Sequence, residues 1–196
     1  MSFQRLEITA LDGFKIYGRK YSPEEVKGRI VVASATGVPQ GFYQNFAQRA
    51  ASRGFEVITF DYRGIGESAP TKLRGFKVDY RDWARLDLAG VLESQKDDLG
   101  VHLVGHSYGG QALGILPDLS KIKSLHTFAT GAGWHGWMPK GEQIRVKFLW
   151  NVIGPIITRT KGYLAWKRLG FGEDLPLGVY RQWKYWCGFP SYWFDD

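Results

Sequence analysis

One segment limits the possible folds of this chain more than any other. The apolar run Val101-His102-Leu103-Val104 breaks at Gly105-His106-Ser107-Tyr108-Gly109-Gly110, and helix-like Gln111-Ala112-Leu113-Gly114-Ile115-Leu116 follows at once. A strand that turns so sharply into a helix strains the torsions of the residue at the bend, and bulky side chains two positions to either side of it would clash. Gly105 and Gly109 fill those two positions. The bend lifts the Ser107 hydroxyl above a sheet edge, where a base can take its proton, and aims the next amide N–H at the oxygen of a bound carbonyl. Ser107 is therefore the first candidate nucleophile.

The pattern on either side supplies a frame for that bend. Residues 6–10 and 14–21 alternate apolar and polar positions around Asp12-Gly13 and read as a β-hairpin. Residues 30–33, 55–62 and 125–129 are short β-rich runs. Helical periodicity covers 42–53, with Phe42, Phe46, Ala47 and Ala50 on one face and Gly54 as its stop. It also covers 79–95, where Trp83, Leu86, Leu88, Val91 and Leu92 form the buried stripe. Strands alternating with helices after an initial hairpin predict an α/β fold, a mostly parallel sheet with helices on both faces. From Trp134 onward the pattern changes. Residues 141–152, 157–169 and 177–187 read as helices separated by Pro139, Pro155 and Pro176, so the expected division is a core over 1–135 and a helical cap over 136–196.

At 196 residues and 44% hydrophobic, the chain suffices for one sizeable core and is short for two ordinary domains. The single cysteine, Cys187, excludes an internal disulfide, and its setting, Tyr185-Trp186-Cys187-Gly188-Phe189, reads as a buried structural thiol. The longest apolar stretch, 148–157, is about half of the ~20 residues needed to cross a bilayer, and no basic, apolar leader precedes residue 6. A soluble cytoplasmic protein is expected. The net charge of +7 is concentrated: residues 138–170 hold seven cations against Glu142, and seven of the eight tryptophans lie at or after Trp134. Two readings stand. One is a lid that guides acyl or anionic ligands or rests peripherally on an anionic membrane; the other is a solvated basic face over ordinary core tryptophans. No nucleic-acid motif accompanies the charge, so nucleic acid is not expected as a partner.

Three motifs, each at the end of a strand, carry a resemblance: Gly105-His106-Ser107-Tyr108-Gly109, Asp61-Tyr62-Arg63-Gly64-Ile65-Gly66-Glu67-Ser68 and Thr36-Gly37-Val38. Together they resemble the α/β-hydrolase superfamily, its serine aminopeptidase and monoglyceride-lipase-like branch in particular. The resemblance covers about residues 6–135 as sheet core, and 134–194 is similar to the cap such proteins insert after their sixth strand. It implies hydrolysis of small acyl esters or amides, with Ser107 as nucleophile, the backbone N–H groups of Tyr108 and Val38 as the oxyanion hole, and no metal or organic cofactor. Many relatives carry a histidine before the loop glycine, where this chain has Thr36. A complete member would continue with two more strands, whose loops carry the catalytic acid and histidine. The last strands are expected to be missing, and the chain to be truncated before both residues.

In such proteins the acid and then the histidine follow the serine. Only His126 and His135 follow Ser107, and the one acid before either is Asp118. Asp118 comes after the elbow helix and His126 opens the next apolar run, which places both at the far end of the sheet. His135 lies beyond that run, as a substitute base or as a cap-hinge or pocket-lining residue; the acids after it reverse the usual order. His106 alternates away from Ser107 and packs beneath the bend. Asp61 and Arg63 read as buttresses of their loop, with a catalytic acid and anion clamp as the alternative. Two GxGxx(G/A) matches, at Gly64 and Gly131, lack the helix and the second-strand acid of a dinucleotide site. If the last strands are missing, residues 125–129 form an exposed sheet edge suited to a homodimer. The rival to an enzyme is then a non-catalytic fragment or a binding or assembly chain that keeps the fold; a third reading has a second polypeptide supplying the acid and base.

Overall fold

The computed structural model describes residues 2–96 and 98–195; Met1, Asp97 and Asp196, and with them the outer limits of the expected core and cap, lie outside the described residues. The chain divides into two compact units. The first joins the residues up to Ala69 with Arg81–Thr130, and the second joins Pro70–Tyr80 with the residues from Gly131 onward. Nothing in the apolar periodicity of residues 70–80 had set them apart from their neighbours.

The first unit is a six-stranded sheet in the order β1-β2-β4-β3-β5-β6. Strands β1 (Gln4–Thr9) and β2 (Lys15–Tyr21) form the expected hairpin, and its turn closes through Gly13 N–H to Ala10 O, with Gly13 at φ 87° where a side chain would be strained. β2 also pairs antiparallel with β4 (Phe55–Phe60), and every later pairing is parallel, through β3 (Gly28–Ala33), β5 (Val101–His106) and β6 (Ile122–Phe128). Every residue of β3 is buried, as a strand covered on both faces must be. β6 is the reverse: it has one neighbour, and six of its seven residues are exposed.

Helix α1 (Gln44–Ala51) covers one face, its Ala47 and Ala51 packing with Tyr21, Ile30, Val32 and Val57. Helix α3 (Tyr108–Gln111) covers the other, since its Gly109 lies against Ala33, which alternates with Val32 along β3. The face expected for the first helix is corrected. Phe42 and Phe46 are exposed, whereas Ala47 is buried and Ala50 packs against the core as expected; Tyr43, Ala47 and Ala51, four residues apart, form the inward row. The second helix starts as a π-helical segment, Trp83–Leu88, and continues as α2 (Ala89–Glu93); Trp83, Leu88, Val91 and Leu92 are buried as the periodicity predicts, and Leu86 is half-buried.

In the second unit, α4 (Lys140–Phe148) runs through a π-helical turn, Leu149–Ile153, into α5 (Gly154–Lys161). Pro155 therefore does not separate two helices. Proline lacks an N–H and crowds the carbonyl one turn back; here it occupies the first turn of α5, directly after the wider π turn, where both defects are tolerated. α5 stops at Gly162, φ 81°, and α6 (Leu177–Trp186) follows Pro176. Trp150, Trp166, Trp183 and Tyr180 pack ring to ring at 4.9–6.2 Å, and Trp186 packs against Tyr80, Tyr192 and Trp193 at 5.3–5.5 Å. Trp150, Trp166, Trp183 and Trp186 thus help to build this unit's own core, while Trp137 is exposed.

Candidate functional site

Ser107 sits between the last residue of β5 and the first of α3, with φ 51° and ψ −112°. For a residue with a side chain this is a sparsely populated conformation, costing of order 1–3 kcal/mol and kept only where the surroundings impose it. The surroundings are visible. Ser107 N–H donates to Phe128 O at 2.8 Å, Gly110 N–H donates back to Ser107 O at 3.0 Å, and Thr130 Oγ1 donates to the same carbonyl at 3.2 Å. Both flanking glycines are required. A Cβ on Gly105 would stand 2.5 Å from Gly110 Cα, and one on Gly109 would overlap the Ala33 carbonyl. Tyr108, first in α3, is fully buried with its ring edge-on to the stacked pair Tyr62 and Trp83.

The loop after β3 carries Val38. Its N–H donates to Ala35 O at 3.1 Å, closing a turn. Ala35 N–H donates in turn to Tyr43 Oη at 3.0 Å, and Tyr43 Oη lies 2.9 Å from His106 Nδ1. Burial pushes the Tyr43 phenol up to about 12, so it keeps its proton for His106. His106 points beneath the bend, as strand alternation requires. This brace between the β3 loop and the residue before Ser107 was not legible in the sequence, because Tyr43 carries no motif.

Asp61 and Arg63 do not pair with each other. Asp61 Oδ1 accepts from Gln40 N at 2.7 Å, and Oδ2 accepts from Gln40 Nε2 at 3.0 Å and from Glu67 N at 2.9 Å. Arg63 donates to the fully buried Asp87 from its backbone N at 2.9 Å and from Nε at 2.7 Å, and its remaining nitrogens reach Asp12 at 2.7 and 2.8 Å. Each residue therefore buttresses its loop.

Asp118 lies in the turn before β6, its carboxylate taken by Ser120 N at 2.8 Å and Ser120 Oγ at 2.6 Å. His126 is corrected: β6 begins at Ile122, so His126 stands two residues from its carboxyl end, opposite Val104, with its ring 4.7 Å from Phe128. A run of Lys and Ser at residues 120–124 hid the start of that strand. His102 Nδ1 lies 2.8 Å from Ser124 Oγ. Of the imidazoles in the first unit, those of His102 and His106 thus meet Ser124 and Tyr43, and that of His126 meets Phe128. His135 belongs to the second unit, in a 3-10 turn, half-buried, with its ring 5.7 Å from that of Trp134. No group of three or more His, Cys, Asp or Glu residues suited to a metal ion occurs among the described residues. A crevice of about 500 Å³ lined by Lys20, Arg29, Glu56 and Gln95 opens at the amino ends of β3 and β4, opposite to the Ser107 bend, where Arg29 Nε donates to Glu56 at 2.6 Å.

The family model described as the alpha/beta hydrolase family matches residues 30–194. Among solved structures, DcsB in complex with its substrate analogue is 20% identical, with a TM-score of 0.65 over 95% of this chain and 74% of that one. The alpha/beta hydrolase GrgF from Penicillium sp. sh18 is 16% identical, with a TM-score of 0.63 over 92% and 72%. The esterase EaEST from Exiguobacterium antarcticum is 25% identical, with a TM-score of 0.52 over 69% and 48%. No curated protein matches the sequence.

Proposed function

The chain belongs to the alpha/beta hydrolase family, and on that premise we propose that it hydrolyses small acyl esters or amides with Ser107 as the nucleophile. The observation that carries this reading is the Ser107 backbone, held at φ 51° where β5 becomes α3. A strained serine at that junction presents its hydroxyl outward and the following amide beside it. Ser107 Oγ would attack the carbonyl carbon as a base takes its proton, the Tyr108 and Val38 amides would hold the oxyanion, and water would release the acyl group after the alcohol or amine departs. In this reading Val38 N–H turns from Ala35 O to the oxyanion when substrate is bound, and His135 is the candidate base within this chain.

The test is labelling of the folded protein with a fluorophosphonate probe, beside a Ser107→Ala control. Labelling that vanishes in the control supports an activated serine, and loss of labelling in His135→Ala would identify the base. A second reading is favoured by the engagement of His102 with Ser124, of His106 with Tyr43 and of Val38 N–H with Ala35 O. In it the chain keeps the fold without the chemistry and associates through the exposed edge strand β6 with a second copy. An unlabelled, folded protein that sediments as a dimer would replace the first reading with this one.

A further inference from the structure

The helical run from Lys140 to Lys161 is apolar on two sides. Inward, Trp150 packs on Trp166, Tyr180 and Trp183 in the core of its unit. Outward, Ile144, Phe148, Val152 and Ile156 are 71%, 55%, 39% and 56% exposed. Successive members lie four residues apart, so each sits about one turn beyond the last and together they form a single row. A row of that size left in water is costly, and on a soluble chain it marks a surface that something else covers.

The charges beside the row say what covers it. The run carries Lys140, Arg145 and Lys147 toward one end and Arg159 and Lys161 at the other, all exposed, against the single anion Glu142, which Arg145 meets at 3.5 Å. Just ahead of the run stands Trp137, 70% exposed, its indole N–H donating to Pro190 O at 3.3 Å. Apolar side chains in a row, cations at both ends and an indole at the margin match a surface that is anionic at the top and apolar just beneath. We propose that this face lies on an anionic lipid surface, with Ile144, Phe148, Val152 and Ile156 entering the acyl boundary and the five cations among the headgroups. The run lies on the bilayer and does not cross it, because no helix among the described residues is long and apolar enough to span. The proposal is independent of any chemistry at Ser107.

The experiment is co-sedimentation of the full chain with vesicles of phosphatidylcholine alone and of phosphatidylcholine doped with phosphatidylserine. Binding is expected to the doped vesicles only, and to fall as salt is raised. Ile144→Asn and Phe148→Asp, both at exposed positions and checked for folding by circular dichroism, should each abolish it. Lys147→Glu with Arg159→Glu, which leaves the apolar row intact, should weaken it by roughly fivefold or more per charge. Equal binding to neutral vesicles, binding unchanged in folded variants, or no binding by the folded wild type would each overturn the proposal; self-association through this row in the last case would assign the face to a second copy.

Discussion

Asp61 holds Gln40 at two points, accepting its backbone N–H at 2.7 Å on one carboxylate oxygen and its side-chain amide at 3.0 Å on the other. The residue that opens the loop after β4 thereby anchors the loop after β3, two positions beyond Val38. Burial lifts the Asp61 carboxyl above the usual range, opposed by these amide donors. Asp61→Ala is expected to cost about 3 kcal/mol, because buried donors lose their acceptor, and to slow probe labelling of Ser107 as Val38 loses its register. Urea midpoints and labelling rates measured together check this. A lower midpoint with an unchanged labelling rate would remove the Val38 loop from the chemistry.

At the bend, strain and close packing predict opposite outcomes for two neighbours. Ser107→Gly removes the side chain from a residue at φ 51°, and should raise thermal stability by about 1 kcal/mol while abolishing labelling. Gly109→Ala places a Cβ on the Ala33 carbonyl, and should cost about 3 kcal/mol or more. Thermal melts of the two variants beside wild type decide it.

Arg63 clamps Asp87 and Asp12 together, and Asp87 is fully buried. Asp87→Ala takes the buried acceptor from the Arg63 backbone N–H and Nε, leaving Asp12 as the remaining acid partner of the guanidinium, and should cost about 3 kcal/mol. Burial, partly offset by Arg63, pushes the Asp87 carboxyl up to about 6 from 3.8. A raised carboxyl favours the folded state in its protonated form, so its contribution is full below about pH 4 and is lost as pH rises through about 6. The stability advantage of wild type over Asp87→Asn should therefore shrink between about pH 4 and pH 7, as read by denaturant titrations across that window.

Cys187 is buried, and burial pushes its thiol up to about 12. The neutral thiol is a poor nucleophile, so iodoacetamide at neutral pH should leave the folded protein unmodified and alkylate it fully in denaturant. Mass spectrometry distinguishes the two. Rapid alkylation in the native state would show that Cys187 is accessible.

The most local signals proved the most legible. The Asp12-Gly13 hairpin, the buried run 30–33 and the GxSxG bend depend on neighbours within a few residues, and the structure places each where the sequence does. On the first helix Ala47 and Ala50 lie where the sequence puts them, but Phe42 and Phe46 face outward while Tyr43 and Ala51 face inward, a choice that hydropathy cannot make because it ranks phenylalanine above alanine for burial. Pro155 was read as a break because the π turn that accommodates it has no sequence signature. His126 was misplaced because the polar start of β6, Ile122-Lys123-Ser124, looks like a loop on a strand with little to bury.

Short-range order along the chain thus determined the alternation of elements, the strained position of Ser107 and the need for Gly105 and Gly109, because backbone torsions and side-chain period act between near neighbours. Only the tertiary structure decided which side chains met across it. Asp61 found Gln40, Tyr43 found His106 and Arg63 found both Asp12 and Asp87 over separations of 21, 63, 51 and 24 residues. Those pairings follow from strand order and from which faces the helices cover, which a single sequence encodes only through the packing of the whole.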